Sequence, residues 1–283
     1  MSTRWPPHWD RRIRPAVIRH GGWRWEVLPG GEEVVRSLDD WSPAALRASF
    51  GDTLLGEKGA ERFSFRMQAG SLEVAVKVQR SNRFKAKLRS LYGRCKARKE
   101  WENHLVASGL GVPTVRPVAL GELRRPILVH EAAVITEWQA GARALVDWRR
   151  ERADRAGGET EQNLAAGIGR LAATTQKSGL YHNEIHAGNL LVAGADAEPD
   201  LLLIDWKHAR IKPRTTENDV ENLVRTGWFL NRGLDFAPPT EDEKRAFLAA
   251  YLEATAGRPD RAELIASLRR ACPDAAWIDA ADA

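Results

Sequence analysis

Glu184, Asn189 and Asp205 carry side-chain oxygens within one stretch, LYHNEIHAGNLLVAGADAEPDLLLIDWKHAR, at residues 180–210. Two apolar runs, 190–192 and 201–204, read as the strands of a hairpin. Such a hairpin brings Asn189, before its first strand, and Asp205, after its second, to the same end. An amide oxygen and a carboxylate suit Mg²⁺, which takes one or two protein carboxylates and completes its shell with phosphate oxygen and water. Glu184 is then a candidate base for an acceptor hydroxyl. Metal held against phosphate and a carboxylate near a hydroxyl are the needs of phosphoryl transfer from a nucleotide, with little covalent work for the protein.

Phosphate also calls for a cation from the chain. The run Val74-Ala75-Val76-Lys77-Val78 ends a strand candidate at 72–78 and is close to the pattern in which a strand lysine holds the α- and β-phosphates. Glu100 opens a helical segment through Leu105, at a distance suited to a helix packed behind that strand, and can hold Lys77. Glu102 is its rival for that role.

The elements that position these residues follow from hydrophobic period and turn chemistry. Trp23, Trp25 and Val27 alternate as a strand before Pro29-Gly30-Gly31. Short strands at 53–55, 62–67 and 72–78 are separated by Gly56-Glu57-Lys58-Gly59 and Gln68-Ala69-Gly70-Ser71. Strands at 117–121 and 127–135 follow a break at Gly111-Val112-Pro113-Thr114. Beyond them the chain reads mostly helical. Leu164, Ile168 and Leu171 share one helix face, Val220, Leu223 and Val224 another, Phe247, Ala250 and Tyr251 a third, and Leu264, Ile265 and Leu268 a last.

With 283 residues, 43% hydrophobic and 29% charged, the chain has the composition of an ordinary globular protein and the length for a sizeable core. Cys95 and Cys272 form neither a metal spacing nor a disulfide framework, which fits a reducing cytosolic compartment. No apolar run reaches bilayer-spanning length, and the charged start MSTRWPPHWDRRIR is not followed by a signal-peptide core. The net charge of +5 leaves room for anionic partners. Much of it falls in the run 80–99, where Arg80, Arg83, Lys85, Lys87, Arg89, Arg94, Lys96, Arg98 and Lys99 occur before any acidic residue. That run reads either as a solvated face or as a docking surface for an anionic membrane or phosphate-rich substrate.

In order and type, these parts resemble the protein-kinase-like superfamily over residues 50–256. More narrowly the chain is similar to the lipopolysaccharide core kinases of the Kdo/WaaP family. The resemblance lies in Ala97-Arg98-Lys99-Glu100-Trp101, Gly111-Val112-Pro113-Thr114-Val115-Arg116-Pro117, Val134-Ile135-Thr136-Glu137, His186-Ala187-Gly188-Asn189-Leu190-Leu191, Leu203-Ile204-Asp205 and Arg245-Ala246-Phe247-Leu248-Ala249-Ala250-Tyr251. It implies an α+β, bilobal kinase-like fold, with a small antiparallel-sheet N-lobe at 50–140, a helical C-lobe at 141–283 and ATP between them. Residues 1–49 form an N-terminal extension, partly strand. It further implies transfer of the γ-phosphate of ATP, with Mg²⁺, to an inner-core heptose or Kdo on the cytoplasmic face of the inner membrane, by an enzyme expected to be a monomer.

The same resemblance assigns the site. Lys77 positions phosphate, Glu100 holds Lys77, Glu184 orients the acceptor hydroxyl, His186 shapes its loop, and Asn189 and Asp205 bind metal. Nucleotide would lie against Gly56, Lys58 and Gly59 of a reduced glycine hairpin, Val76, the hinge residues Thr136, Glu137, Trp138 and Gln139, and Leu191. The usual catalytic aspartate is here Glu184. Two rivals stand beside this reading: a kinase of another small hydroxyl substrate, such as an aminoglycoside or choline, and a nucleotide-binding pseudokinase. The basic run argues against a cationic substrate, and it lacks the interleaved aromatics of a nucleic-acid platform, so no nucleic acid is expected.

Overall fold

The computed structural model describes residues 14–57, 62–81, 95–153, 158–194, 199–231, 238–256, 260–273 and 278. Lys58 and Gly59 of the expected phosphate hairpin, the tail with Trp5 and Trp9, and residues 82–94 of the basic run lie outside them. The chain divides into two compact units, one of residues 1–110 and 115–138, the other of 111–114 and 139–283.

The first unit is built on a seven-stranded antiparallel sheet in the order β1-β2-β6-β7-β5-β4-β3. Its strands are β1 (Ala16–His20), β2 (Trp23–Val27), β3 (Leu54–Glu57), β4 (Arg62–Ala69), β5 (Leu72–Arg80), β6 (Pro117–Arg125) and β7 (Leu128–Glu137). Period-two alternation gives the sheet two apolar faces. On one, Trp25, Phe65, Val74, Val76 and Ile135 pack with Val34 and Val35 of helix α1 (Glu32–Arg36) and Leu46 of α2 (Pro43–Phe50). On the other, Leu120 and Val134 pack with Ala97, Trp101 and Leu105 of α3 (Lys96–Gly109).

β2 pairs directly with β6, setting Trp25 against Gly121. Any Cβ at Gly121 would stand 2.5 Å from the Trp25 ring, so glycine there makes room for the indole. Residues 14–57 are therefore part of this sheet unit. Arg98 of α3 reaches Glu122 of β6 at 2.9 Å and Glu26 of β2 at 3.1 Å, tying the helix to two strands. That member of the basic run is spent inside the unit.

Helices dominate the second unit. Its elements are β8 (Arg143–Ala144), α4 (Leu145–Arg150), α5 (Glu159–Lys177), β9 (Leu180–Tyr181), β10 (Leu190–Ala193), β11 (Asp200–Leu203), β12 (Arg210–Ile211), α6 (Thr216–Asn231), α7 (Glu241–Ala254) and α8 (Arg261–Ala271). α5 and α7 approach closely because Gly169 has no side chain: a Cβ there would meet the Phe247 carbonyl oxygen at 2.1 Å. A capping box of Thr240 and Glu243 starts α7. Glu243 also accepts a buried hydrogen bond from Arg149 of α4, at 2.8 Å. Two small sheets, β11-β10-β8 and β12-β9, flank the turns that carry Glu184, Asn189 and Asp205.

Candidate active site

In the first unit, Lys77 sits in mid-strand, paired with Ser64 of β4 on one side and Val134 of β7 on the other. Its ammonium donates to Glu100 Oε1 at 2.8 Å. The lysine side chain is 30% exposed and the glutamate side chain 7%, so a fixed carboxylate aims a cation that still reaches solvent. Trp101 and Leu105, buried beneath the sheet, fix the rotation of α3 that presents Glu100. Glu102 takes another partner, with Arg98 3.9 Å away.

Alternation along β5 separates Val76 from this pair. Val76 is fully buried in the core on the opposite face, and the residue sharing the face of Lys77 is Ala75. The period-two rule applied to Lys77 would have selected it. Gly56 lies in β3 opposite Ser64, at an irregularity in the pairing, with open space where its Cβ would stand. Thr136 and Glu137 close β7, and the amides of Glu137 and Trp138 donate to Arg116 O and Glu73 O at 2.9 and 2.8 Å. Glu137 also binds Arg116 through its side chain, at 2.6 Å. Gln139, half-buried, begins the second unit and accepts from the Ala142 amide.

In the second unit the loop from Tyr181 to Asn189 and the turn at Asp205 are stitched together by individual hydrogen bonds. His182 is fully buried, its Nε2 3.0 Å from Ile204 O and its ring edge-on to Trp206. Burial pushes its pKa down to about 4, against the raising effect of the carbonyl contact, so the ring is neutral and donates. Asn183 adopts a left-handed backbone, φ 62°, and its amide donates to Tyr181 O at 2.9 Å and His208 O at 3.1 Å. Asparagine tolerates that conformation better than most residues.

His186 Nδ1 accepts from the Gly188 amide at 3.1 Å and so caps the short 3₁₀ turn Ala187–Asn189. Asn189 Nδ2 donates to Glu184 O at 3.0 Å, which commits the nitrogen prong of its amide and turns Oδ1, the atom able to ligate a cation, the other way. The Ile204 amide donates to Asn189 O at 3.0 Å, bringing the chain into Asp205 directly beside Asn189. Asp205 itself is left-handed, φ 64° and ψ 59°. Leu191 follows in β10 on the half-exposed face, paired with Leu202 and Ala144.

The turn after Asp205 is anchored by Trp206, whose indole donates to Thr114 Oγ1 at 3.0 Å while that hydroxyl donates to Leu203 O at 2.6 Å. Lys207 bonds Asp205 Oδ2 and lies 3.9 Å from Glu184 Oε2; His208 Nε2 is 3.6 Å from Glu184 Oε1. His182, Asn183, Trp206 and Lys207 add to the site residues assigned from the sequence. Their signal was proximity in sequence to Glu184 and Asp205.

A sheet-borne lysine bonded to a helix glutamate in one unit, and an asparagine and an aspartate on neighbouring turns of the other, are the parts expected of a phosphotransferase of protein-kinase-like fold. The particular family follows from the sequence: the model of the lipopolysaccharide kinase (Kdo/WaaP) family matches residues 56–251, and the chain belongs to it. It is therefore a kinase. A solved structure of WaaP in complex with acyl carrier protein shares the fold, with a TM-score of 0.55 at 18% identity, over 83% of this chain and 93% of that one. No curated protein matches the sequence.

Proposed function

We propose that this kinase transfers the γ-phosphate of ATP, with Mg²⁺, to a sugar hydroxyl of the lipopolysaccharide inner core, a heptose or Kdo. The family supports the acceptor class. The observation that supports the chemistry is the Ile204 to Asn189 backbone bond, which brings the turn carrying Asp205 beside the turn carrying Asn189. Two hard oxygen ligands fit Mg²⁺ whose shell is completed by phosphate and water. When bound, the ion would draw charge from the phosphate oxygens.

The chain's own residues do the rest. Lys77, held by Glu100, grips nucleotide phosphate. The amides of Glu137 and Trp138 are spent in the sheet, so adenine contacts at these two residues run through their carbonyl oxygens. Glu184, 27% exposed, accepts the acceptor hydroxyl's proton, while His186 and Asn189 keep its loop in shape. We assign the basic residues of 80–99, apart from Arg98, to docking on an anionic membrane surface at the cytoplasmic face. No helix among the described residues is long and apolar enough to cross a membrane.

The test is turnover of core oligosaccharides by the wild type, Glu184→Asp and Glu184→Gln. A positioned general base contributes typically about 10²–10⁴-fold, so Glu184→Gln should lose that much in kcat with ATP affinity little changed, and Glu184→Asp should keep turning over. Equal rates in wild type and Glu184→Gln would remove Glu184 as the base. ATP binding without turnover of any core acceptor would remove the acceptor assignment.

A further inference from the structure

A gathering of charge in the second unit is centred on Lys207, a residue with no role in the site as described so far. Asp205 ends β11's extension in a left-handed backbone and Trp206–His208 form one 3₁₀ turn. Trp206 is fully buried, held by Thr114 and by the His182 ring 4.7 Å away. With residue 206 locked inward, the turn throws the Lys207 side chain back over Asp205. Its ammonium bonds Asp205 Oδ2 and stands 3.9 Å from Glu184 Oε2. All three side chains are partly withdrawn from water, at 15%, 18% and 27% exposure for Asp205, Lys207 and Glu184. His208, 45% exposed, sits on the outer oxygen of Glu184.

We propose that Lys207 is a further catalytic residue, its ammonium contacting the phosphoryl group during transfer. The inference rests on the reading of Asp205 as metal ligand and Glu184 as base. Under that reading the donor phosphate is at Asp205 and the acceptor hydroxyl at Glu184. A group passing from one to the other passes the cation placed between them. In the step, the acceptor oxygen forms a bond to Pγ, the bond from Pγ to the β,γ-bridging oxygen breaks, the hydroxyl proton goes to Glu184 and ADP leaves with the electron pair. Lys207 exchanges no proton.

The reacting phosphoryl spreads charge over three equatorial oxygens. A cation already in place, in a site partly shielded from water, stabilises that charge without reorganising. A lysine suits the task because its ammonium is a compact charge with three rotatable donors, able to keep one on a carboxylate while another meets a phosphoryl oxygen. Until nucleotide arrives, the same ammonium offsets the repulsion between Asp205 and Glu184.

The experiment measures ADP affinity with Mg²⁺ alone and with Mg²⁺ plus fluoroaluminate, a mimic of the phosphoryl in flight, on the full chain. Fluoroaluminate should tighten ADP binding to the wild type. Lys207→Met should lose on the order of 10²–10³-fold of that gain, and a similar factor in kcat, as for removal of one preorganised partner of developing charge. ADP affinity without fluoroaluminate should not change, and Lys207→Arg should recover most of the gain. Lys207→Gln gives the same readout if the methionine variant does not fold. Full retention of the gain in Lys207→Met overturns the proposal. So does an equal loss with ADP and Mg²⁺ alone, which would make Lys207 a partner of Asp205 only. A wild type whose ADP affinity ignores fluoroaluminate overturns the reading of Asp205 and Glu184 first, and the inference with it.

Discussion

The lysine–glutamate pair of the first unit and the proposed oxygen ligands of the second are positioned by opposite means. Lys77 is mid-ladder in β5, with strands paired on both sides, and Glu100 rides a 14-residue helix. The backbone that carries each is held by many bonds. Asp205 and Asn183 are instead non-glycine residues at positive φ, and Asn189 and His186 belong to a three-residue 3₁₀ turn and its cap. Each depends on one or two side-chain hydrogen bonds. A ladder averages its errors over many bonds, whereas a turn passes the loss of one bond straight to the next residue. The loop around Glu184 should accordingly be the more fragile of the two.

The largest effect expected from this contrast is in Asp205→Ala set against Glu100→Gln. Asp205→Ala removes the one carboxylate assigned to the ion and puts alanine in a left-handed backbone. Its kcat should fall on the order of 10³-fold, the upper end for loss of one electrostatic partner, and Mg²⁺ should cease to strengthen ATP binding. Glu100→Gln leaves Lys77 on its strand with a neutral partner, and the loss should stay near 10²-fold, typical of a small misplacement. Rates and ATP titrations with and without Mg²⁺ check both. A Glu100→Gln loss equal to that of Asp205→Ala would erase the distinction between ladder and turn.

Next in size is a pH effect that each unit shows separately. His104 in the first unit, 2.7 Å from Val115 O, and His182 in the second are both buried. Burial is the main cause that lowers each pKa to about 4, outweighing the hydrogen bond to a carbonyl that works the other way. An unfolded histidine titrates near 6.5. Below that pH the unfolded chain binds a proton that the folded chain refuses, so stability is lost as pH falls from about 6.5 toward 4 and is fully present above. By pH 5 the loss should reach about 2 kcal/mol per histidine, at 1.36 kcal/mol per pH unit. Denaturant unfolding at pH 7 and 5 should show a smaller difference for His104→Gln and for His182→Gln than for the wild type. An unchanged difference in either would mean that its ring is not held neutral.

How much of this was legible in the sequence follows the same divide. The fold class was open to reading because strand alternation and helix stripes are local patterns, and Lys77 was conspicuous at the end of a β-branched run. The choice of Glu100 over Glu102 came from the resemblance and not from the residues themselves, since the phase of a helix against a strand is set by packing, here by Trp101 and Leu105. Val76 and Ala75 were separable by period two alone. Trp23, Trp25 and Val27 alternate as a strand, yet nothing near them names β6 as their partner; that pairing spans about a hundred residues and leaves only Gly121 as a trace. Two of the bonds that hold Glu184's loop, His182 to Ile204 and Asn183 to His208, join residues twenty or more apart. Lys207 is not legible in the sequence, because its meaning depends on a left-handed turn that no residue pattern announces.

The smallest predicted effect probes whether the loop's bonds act independently. Tyr181 ends β9 immediately before His182, and its hydroxyl donates to Asp219 Oδ1 at 2.7 Å, deep in the unit. Burial first, and the Asp219 carboxylate next, drive the phenol's pKa well above its ordinary value, so it stays a donor. Asp219 is fully buried at the start of α6, with Arg214 Nε 3.6 Å from its other oxygen. Tyr181→Phe keeps the ring and removes one hydrogen bond to a charged group, for which about 1.5–3 kcal/mol is usual. The nearby Arg214 charge holds the expected loss to the lower end. If the loop is held by separate bonds, the hydroxyl matters for stability alone: His182, Asn183 and Asn189 keep their own partners, and kcat should barely move. Thermal unfolding and core-oligosaccharide turnover of the same preparation decide it. A fall in kcat as deep as that of Glu184→Gln, with stability unchanged, would mean that Tyr181 and Asp219 set the position of Glu184 directly, and that the loop behaves as a single rigid piece.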